Sequence, residues 1–268
     1  MNDDLLRELL AAREQRVPCA LVTVAATTGS VPRQAGAKMI VYEADKTSGT
    51  VGGGKFEALV IQESRAALRS KTPLLKTYPL REGEPESFGA ICGGEVTVLI
   101  EPQAVSEAIF LVGAGHCARA IGKLATDCGW HVTVMDDRAD LLADFPAQQK
   151  VGDRTPAAFI ASRAWQRDEA LVIVSRNFEV DREALHAALG QGGMGYLGMI
   201  GSHRKVHRVF DDLKARGVPA EKFAGVYAPL GLDVGADAPA EIATSVMAEV
   251  MRVLRGRPGG HLRDGLNQ

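Results

Sequence analysis

What the chain lacks narrows its function first. None of its four cysteines, Cys19, Cys92, Cys117 and Cys128, forms a C-x-x-C pair. The spacing of a zinc knuckle is therefore missing, and scattered thiols fit a reducing, cytoplasmic setting. No apolar run is long enough to span a bilayer. The start, Met1-Asn2-Asp3-Asp4, is acidic and leads into an amphipathic stretch, so no targeting leader is expected there. Aromatic residues make up only 5% and the net charge is -2, which argues against nucleic acid as a partner. Paired carboxylates and a Ser/His/Asp order are missing, so nothing points to hydrolysis. There is also no internal repeat. The remainder, 268 residues with 46% hydrophobic content, suits one or two globular domains with full cores.

The most informative stretch runs from Ile109 to Gly122, IFLVGAGHCARAIG. An apolar run leads into Gly113-Ala114-Gly115-His116-Cys117-Ala118, a G-x-G-x-x-A turn between strand and helix. Gly113 allows the tight turn. Gly115 lacks the Cβ that would hold a diphosphate off the backbone. Ala118 lets the helix lie against the strand. The helix then offers unpaired N–H groups and a positive dipole end, and His116 can face a ligand there. A second strand, His131 to Met135, ends at Asp136-Asp137, the offset at which an acid binds ribose hydroxyls. The bare turn of an α/β protein has the same shape, but strand, glycines and acid occurring together favour a phosphate ligand.

The first half carries other loops that need a reason. A helix with Leu5, Leu6, Leu9 and Leu10 on one side precedes a strand from Cys19 to Ala26. The loop Thr27 to Lys38 then combines hydroxyls and glycines with Arg33 and Lys38, the composition of an oxyanion cradle or of a plain hairpin loop. Gly49 to Lys55 has the spacing of a P-loop, but Phe56 stands where Ser or Thr would hold magnesium, which excludes triphosphate hydrolysis. Gly52-Gly53-Gly54 still implies positive φ or a close approach before the helix Ala58 to Ser70. Glu57 can serve that helix's dipole or a reaction. Thr72 to Pro85 reads as mostly loop. Cys92-Gly93-Gly94 opens the strand Glu95 to Glu101. The position of Cys92 among residues without side chains leaves two roles open, a thiol facing a ligand or a packed one.

Glu101-Pro102-Gln103 marks the end of a strand and a boundary, giving domains 1–103 and 104–268. Downstream, strands Ala170 to Ser175 and Tyr196 to Ile200 alternate with helices, and Ser202 caps a helix that opens with His203, Arg204, Lys205, His207 and Arg208. That cation cluster is a second possible phosphate contact or a solvated face. Phe223 to Tyr227 reads as a short strand and Pro239 to Arg255 as the last helix. The expected fold class is α/β: a C-terminal Rossmann-like, doubly wound parallel sheet after a smaller N-terminal α+β domain.

Together these motifs resemble the XdhC/CoxI family of molybdenum-enzyme accessory proteins. The resemblance rests on Thr28 to Met39, Gly49 to Glu57 and Cys92 to Pro102 in the first half. In the second it rests on Leu111 to Ala120, Val132 to Arg138, Gly198 to Lys205 and Gly231 to Ala243. It implies a homodimeric protein that is not an enzyme. Such a protein binds the molybdenum cofactor (molybdopterin), protects it during sulfuration by a cysteine desulfurase, and delivers it to apo-xanthine dehydrogenase or a related molybdenum hydroxylase. On this reading Cys92 contacts molybdenum, and Gly52, Gly53, Gly54, Gly93, Gly94, Gly113, Gly115, His116, Asp136 and Arg33 surround the cofactor. The family often has Thr/Ser-x-x-His-x-x-Asp after a central strand, whereas this chain has Ser175, Phe178 and Asp181. The competing reading is an NAD(P)-dependent oxidoreductase built on the same fingerprint.

Overall fold

The first strand of the N-terminal half is covered on both faces from Cys19 to Val24, and its alternating side chains serve two small cores. The computed structural model describes residues 3–80, 93–103 and 105–267. The chain separates into two compact units, Met1–Val105 and Ser106–Gln268. The first contains α1 (Asp3–Glu14), β1 (Cys19–Thr28), β2 (Lys38–Tyr42), β3 (Thr47–Gly49), α2 (Gly54–Ser70), β4 (Leu74–Pro79) and β5 (Glu95–Gln103). Its sheet is antiparallel, in the order β3-β2-β1-β5-β4. Ala20, Val22 and Val24 of β1 join Phe56, Val60 and Ala67 of α2 in one core. Cys19, Ile40 and Tyr42 meet Leu5 and Ala12 of α1 in the other. The period of two along the strand sends neighbours to opposite faces.

Two expectations change in this unit. The segment read as loop after Thr72 contains β4, which pairs with β5 from Leu74↔Ile100 to Pro79↔Glu95. Its anchor is Tyr78, fully buried and edge-on to Phe56 at 5.4 Å. Leu74 packs on the same core beside it, so two side chains on one face hold this edge strand. Likewise β5 does not stop at Glu101 but continues to Gln103, opposite Cys19. Pro102 is tolerated because the β4 partner ends at Ile100, leaving that stretch at a sheet margin.

The second unit holds β6 (Ala108–Val112), α3 (His116–Asp127), β7 (His131–Met135), α4 (Ala139–Ala143), β8 (Gln149–Val151), α5 (Pro156–Ala161), β9 (Glu169–Ile173), α6 (Phe178–Leu189), β10 (Tyr196–Met199), α7 (His203–Ala215) and α8 (Pro239–Leu254). The strands are parallel, in the order β10-β9-β6-β7-β8. Every residue of β6 is buried, as a parallel strand covered on both faces requires. Ile109 and Leu111 pack with α3 and α8 through Ala118, Ile121, Val246 and Val250. Phe110 and Val112 pack the other way, with Ile160, Leu185 and Val209 of α5, α6 and α7. This is the doubly wound Rossmann arrangement, and its strand order reverses between β6 and β9, where such folds place their ligands.

The expected strand over Phe223 to Tyr227 is instead a 3-10 turn, Ala220–Gly225, followed by one parallel bridge from Tyr227 to Gly198. Tyr227 stacks on Tyr196, with centroids 4.8 Å apart. Beneath them the buried Glu249 of α8 accepts the Tyr196 hydroxyl at 2.7 Å and the Gly231 N–H at 2.8 Å. Burial, then the Glu249 hydrogen bond, pushes the Tyr196 phenol far above its ordinary value. Truncating Glu249 leaves both donors without this acceptor. Glu249→Ala is expected to cost about 2–4 kcal/mol of stability in urea unfolding, and an unchanged midpoint would refute this role.

Candidate functional site

The strand β6 delivers its turn to the end of the parallel sheet where the strand order reverses. Gly113 has φ 107°, and a Cβ there would lie 2.9 Å from the Cα of Ser175, at the end of β9. Its N–H donates to the Met135 carbonyl at 2.7 Å. Ala118 is fully buried against the strand core. These two small residues serve packing. Gly115 differs: it caps α3 in an extended conformation, and a Cβ built on it would meet nothing within 4 Å. Its missing side chain leaves open space before the helix N-terminus, which suits an approaching anion. His116 is exposed beside it, while Cys117 is half-buried on the apolar cluster under α3.

Asp136 stands next to this turn, at the end of β7, but its carboxylate faces inward. Oδ2 accepts the Ala114 N–H at 2.6 Å and the Arg138 Nη2 at 2.7 Å. Oδ1 accepts Arg138 Nε at 2.8 Å and the Arg138 backbone N–H at 3.0 Å. Burial disfavours the charge, yet the Arg138 side chain and the two backbone N–H groups outweigh it and hold the carboxyl at about 2. The residue expected to bind ribose hydroxyls instead fastens the glycine turn to the neighbouring strand.

A second cluster on this edge has no local sequence signature. Ser175 Oγ donates to Asp181 Oδ1 at 2.6 Å, and Lys205 of α7 forms an ion pair with the other Asp181 oxygen. Asp181 is fully buried, and burial raises its pKa despite Lys205 and Ser175. The Lys205 side chain runs past Gly201, where a Cβ would lie 2.8 Å from its Cδ. Phe178, where the family often has histidine, is half-buried against the core with the Arg208 guanidinium 4.9 Å above its ring. Of the cations at the start of α7, Lys205 is taken up by Asp181, while His203, Arg204, His207 and Arg208 are exposed, the solvated face that was one of the two expectations.

In the N-terminal unit the glycine motifs converge. A Cβ on Gly94 would collide with the carbonyl oxygens of Thr28 and Ser30, and Ser30 bridges Gly93. A Cβ on Gly52 would come within 2.7 Å of Pro32 Cγ. The loop from Thr28 to Pro32 thus packs on Gly52 at one point and on Gly93-Gly94 at another. Cys92 lies outside the described residues. Gly53 and Gly54 have φ 77° and 63°, and neither faces an obstacle to a Cβ within 4 Å.

The amides of this loop already hold an anion, the carboxylate of Glu57 from the first turn of α2. Its Oε2 accepts the N–H groups of Val51 at 3.0 Å, Gly53 at 3.1 Å and Gly52 at 3.3 Å, together with the Thr50 hydroxyl. Burial works against the charged form, but the Thr50 hydroxyl and these amides keep the pKa below its ordinary value. Of the site residues expected from sequence, Gly113, Gly115, His116 and Asp136 gather in the second unit. Gly52, Gly53, Gly54, Gly93, Gly94 and Arg33 belong to the first. Among the described residues no group of three His, Cys, Asp or Glu side chains is placed to hold a metal, and no helix is long and apolar enough to cross a membrane.

The Asp136 contacts imply a pH signature. Its folded pKa, about 2, lies below the ordinary value of 3.8. Its contribution is therefore complete above pH ~4 and is lost as pH falls toward the folded value. Asp136→Asn is expected to cost about 2 kcal/mol at pH 7. The gap from the parent should narrow on acidification in urea titrations, and a gap independent of pH would contradict the assignment.

With this geometry in hand, similarity to known proteins becomes informative. The uncharacterized Escherichia coli K12 protein YqeB is 32% identical over 259 residues, covering 96% of this chain and 47% of YqeB. A probable xanthine dehydrogenase subunit of Bacillus subtilis 168 is 28% identical over 146 residues, covering 54% of this chain and 42% of that protein. The chain thus spans about half the length of these curated relatives. The crystal structure of a xanthine dehydrogenase from Bacillus halodurans shares the fold, with a TM-score of 0.50 at 22% identity over 99% of this chain and 100% of that one. Residues 12–79 match the XdhC and CoxI family. Because residues 109–250, over half the sequence, match the XdhC Rossmann domain that the parallel sheet and its glycine turn had outlined, the chain belongs to the XdhC family.

Proposed function

We propose that this protein binds the molybdenum cofactor as cargo, shields it while its terminal sulfido ligand is installed by a cysteine desulfurase, and passes it to apo-xanthine dehydrogenase or a related molybdenum hydroxylase. It works as a cytoplasmic homodimer and turns over no substrate of its own. The observation that carries the reading is the turn after β6. Gly115 leaves open space before the α3 N-terminus, while Asp136, the acid a nicotinamide nucleotide would need for its ribose, is bonded on both oxygens within the protein. A phosphate fits the first feature, and a ribose diol would have to displace Arg138 or the Ala114 amide.

A phosphate suits the open space at Gly115 before the α3 N-terminus, beside the exposed His116; within the N-terminal unit, the open positions Gly53 and Gly54 with the exposed Arg33 suit an anion as well. Cys92 supplies a soft thiolate for the molybdenum–sulfur end. Bound molybdenum would be cargo, and the chain's part is to hold it and keep water and oxidants away.

Gel filtration after mixing tests this directly. The protein should retain molybdenum and pterin fluorescence when mixed with molybdenum cofactor, and no nicotinamide fluorescence when mixed with NAD(P)H. Cys92→Ala should weaken molybdenum retention by about tenfold with the fold intact. Unchanged retention in that variant removes Cys92 from the site, and retention of nicotinamide alone overturns the reading in favour of an oxidoreductase.

A further inference from the structure

A second cleft in the N-terminal unit, of about 420 Å³, is separate from the Glu57 cradle although both involve Thr50. Arg33, Lys38, Ser48, Gly49 and Thr50 line it, with Asp4 from the start of α1. Its shape follows from β2 and β3. Gly49, at φ 82°, lies so close to β2 that a Cβ would sit 2.5 Å from the Lys38 carbonyl oxygen. The lack of a side chain there lets β3 pair closely with β2 at the margin of the cleft.

The charge in this cleft is unbalanced. Lys38 Nζ donates to the neutral hydroxyl of Thr23 at 2.7 Å, and among the described residues it has no acidic partner. Arg33 is exposed and, among the described residues, has no hydrogen-bonding or ionic partner. Of the acids nearby, Glu8 is firmly paired and Asp4 stays in the lining. Asp4 lies 4.0 Å from Arg7. Glu8, held at about 2 by hydrogen bonds from Ser48 and Lys46, pairs with Lys46 at 2.9 Å. Arg33 and Lys38 outnumber the one carboxylate in the lining, Asp4, and a guanidinium and an ammonium can share one dianion.

We propose that this cleft binds a phosphate group, with Arg33 and Lys38 as its charge partners. The inference deepens the molybdenum cofactor reading and rests on it for one source of the ligand, the phosphate end of the pterin. Free phosphate or pyrophosphate is the other source. On this view Arg33 and Lys38 hold the phosphate, and the Glu57 cradle next door is structural.

Calorimetric titration of the full chain with inorganic pyrophosphate tests the site. The parent should show saturable binding, and Arg33→Gln and Lys38→Met should each weaken it by about tenfold. Arg119→Ala, beside the fingerprint turn of the other unit, should leave it unchanged. Lys38→Met removes the bond to Thr23, so Arg33→Gln, an exposed change, decides the matter if the former fails to fold. No saturable binding to the parent, or binding that survives Arg33→Gln and disappears in Arg119→Ala, overturns the proposal. Cofactor retention separates the two ideas. If the parent retains molybdopterin and Arg33→Gln retains it equally, the phosphate assignment fails while the carrier reading stands. If the parent binds pyrophosphate through Arg33 but retains no molybdopterin, the site stands and the carrier reading fails.

Discussion

The carboxylate of Asp136 connects the two strands that frame the glycine turn, and much of the second unit is arranged around that connection. It accepts the Ala114 amide on one side and a bidentate guanidinium on the other. Gly113 lies over Ser175 because it lacks a side chain, so the ends of β6, β7 and β9 are fixed relative to one another. What remains open is the position of Gly115. A Rossmann fold usually presents the acid as a ligand group. Here the same residue ties the turn to β7 through the Ala114 amide and holds Arg138.

The first unit solves a similar problem with the same chemistry. Glu57 satisfies the amides of Val51, Gly52 and Gly53, as Asp136 satisfies that of Ala114. Both carboxylates are held charged against their burial by the donors around them. A glycine-rich turn exposes N–H groups that must be paired, and in both units the chain supplies part of that pairing itself. The motif positions that glycine leaves truly open, Gly115, Gly93 and the pair Gly53-Gly54, are fewer than the motifs alone suggest.

Local patterns made much of this legible. The apolar run of β6, the small residues after it, and Ser202 before α7 are signals contained within a few neighbours, and Ser202 does accept the Lys205 N–H. The chain's order of strands and helices likewise pointed to the doubly wound sheet. What escaped depends on partners far along the chain. The strand β4 is held by Tyr78 against Phe56, and β8 is only three residues long. The Asp181–Lys205 pair joins two helices, so no spacing rule could reveal it. Asp136 was placed correctly beside the turn, but only its hydrogen bonds show which way its oxygens point.

The packing of α8 has a consequence for how the second unit is made. This last helix covers α3, the first one, and its Glu249 anchors Tyr196 and Gly231. On a ribosome, the glycine turn and Asp136 emerge together and can engage early. The apolar side of α3 must nevertheless wait for almost the whole unit before its cover arrives. Such a domain closes last at the place where it began, so an interrupted chain exposes the face next to the turn rather than a distant edge. A nascent chain stalled before Pro239 is then the form most in need of a folding helper.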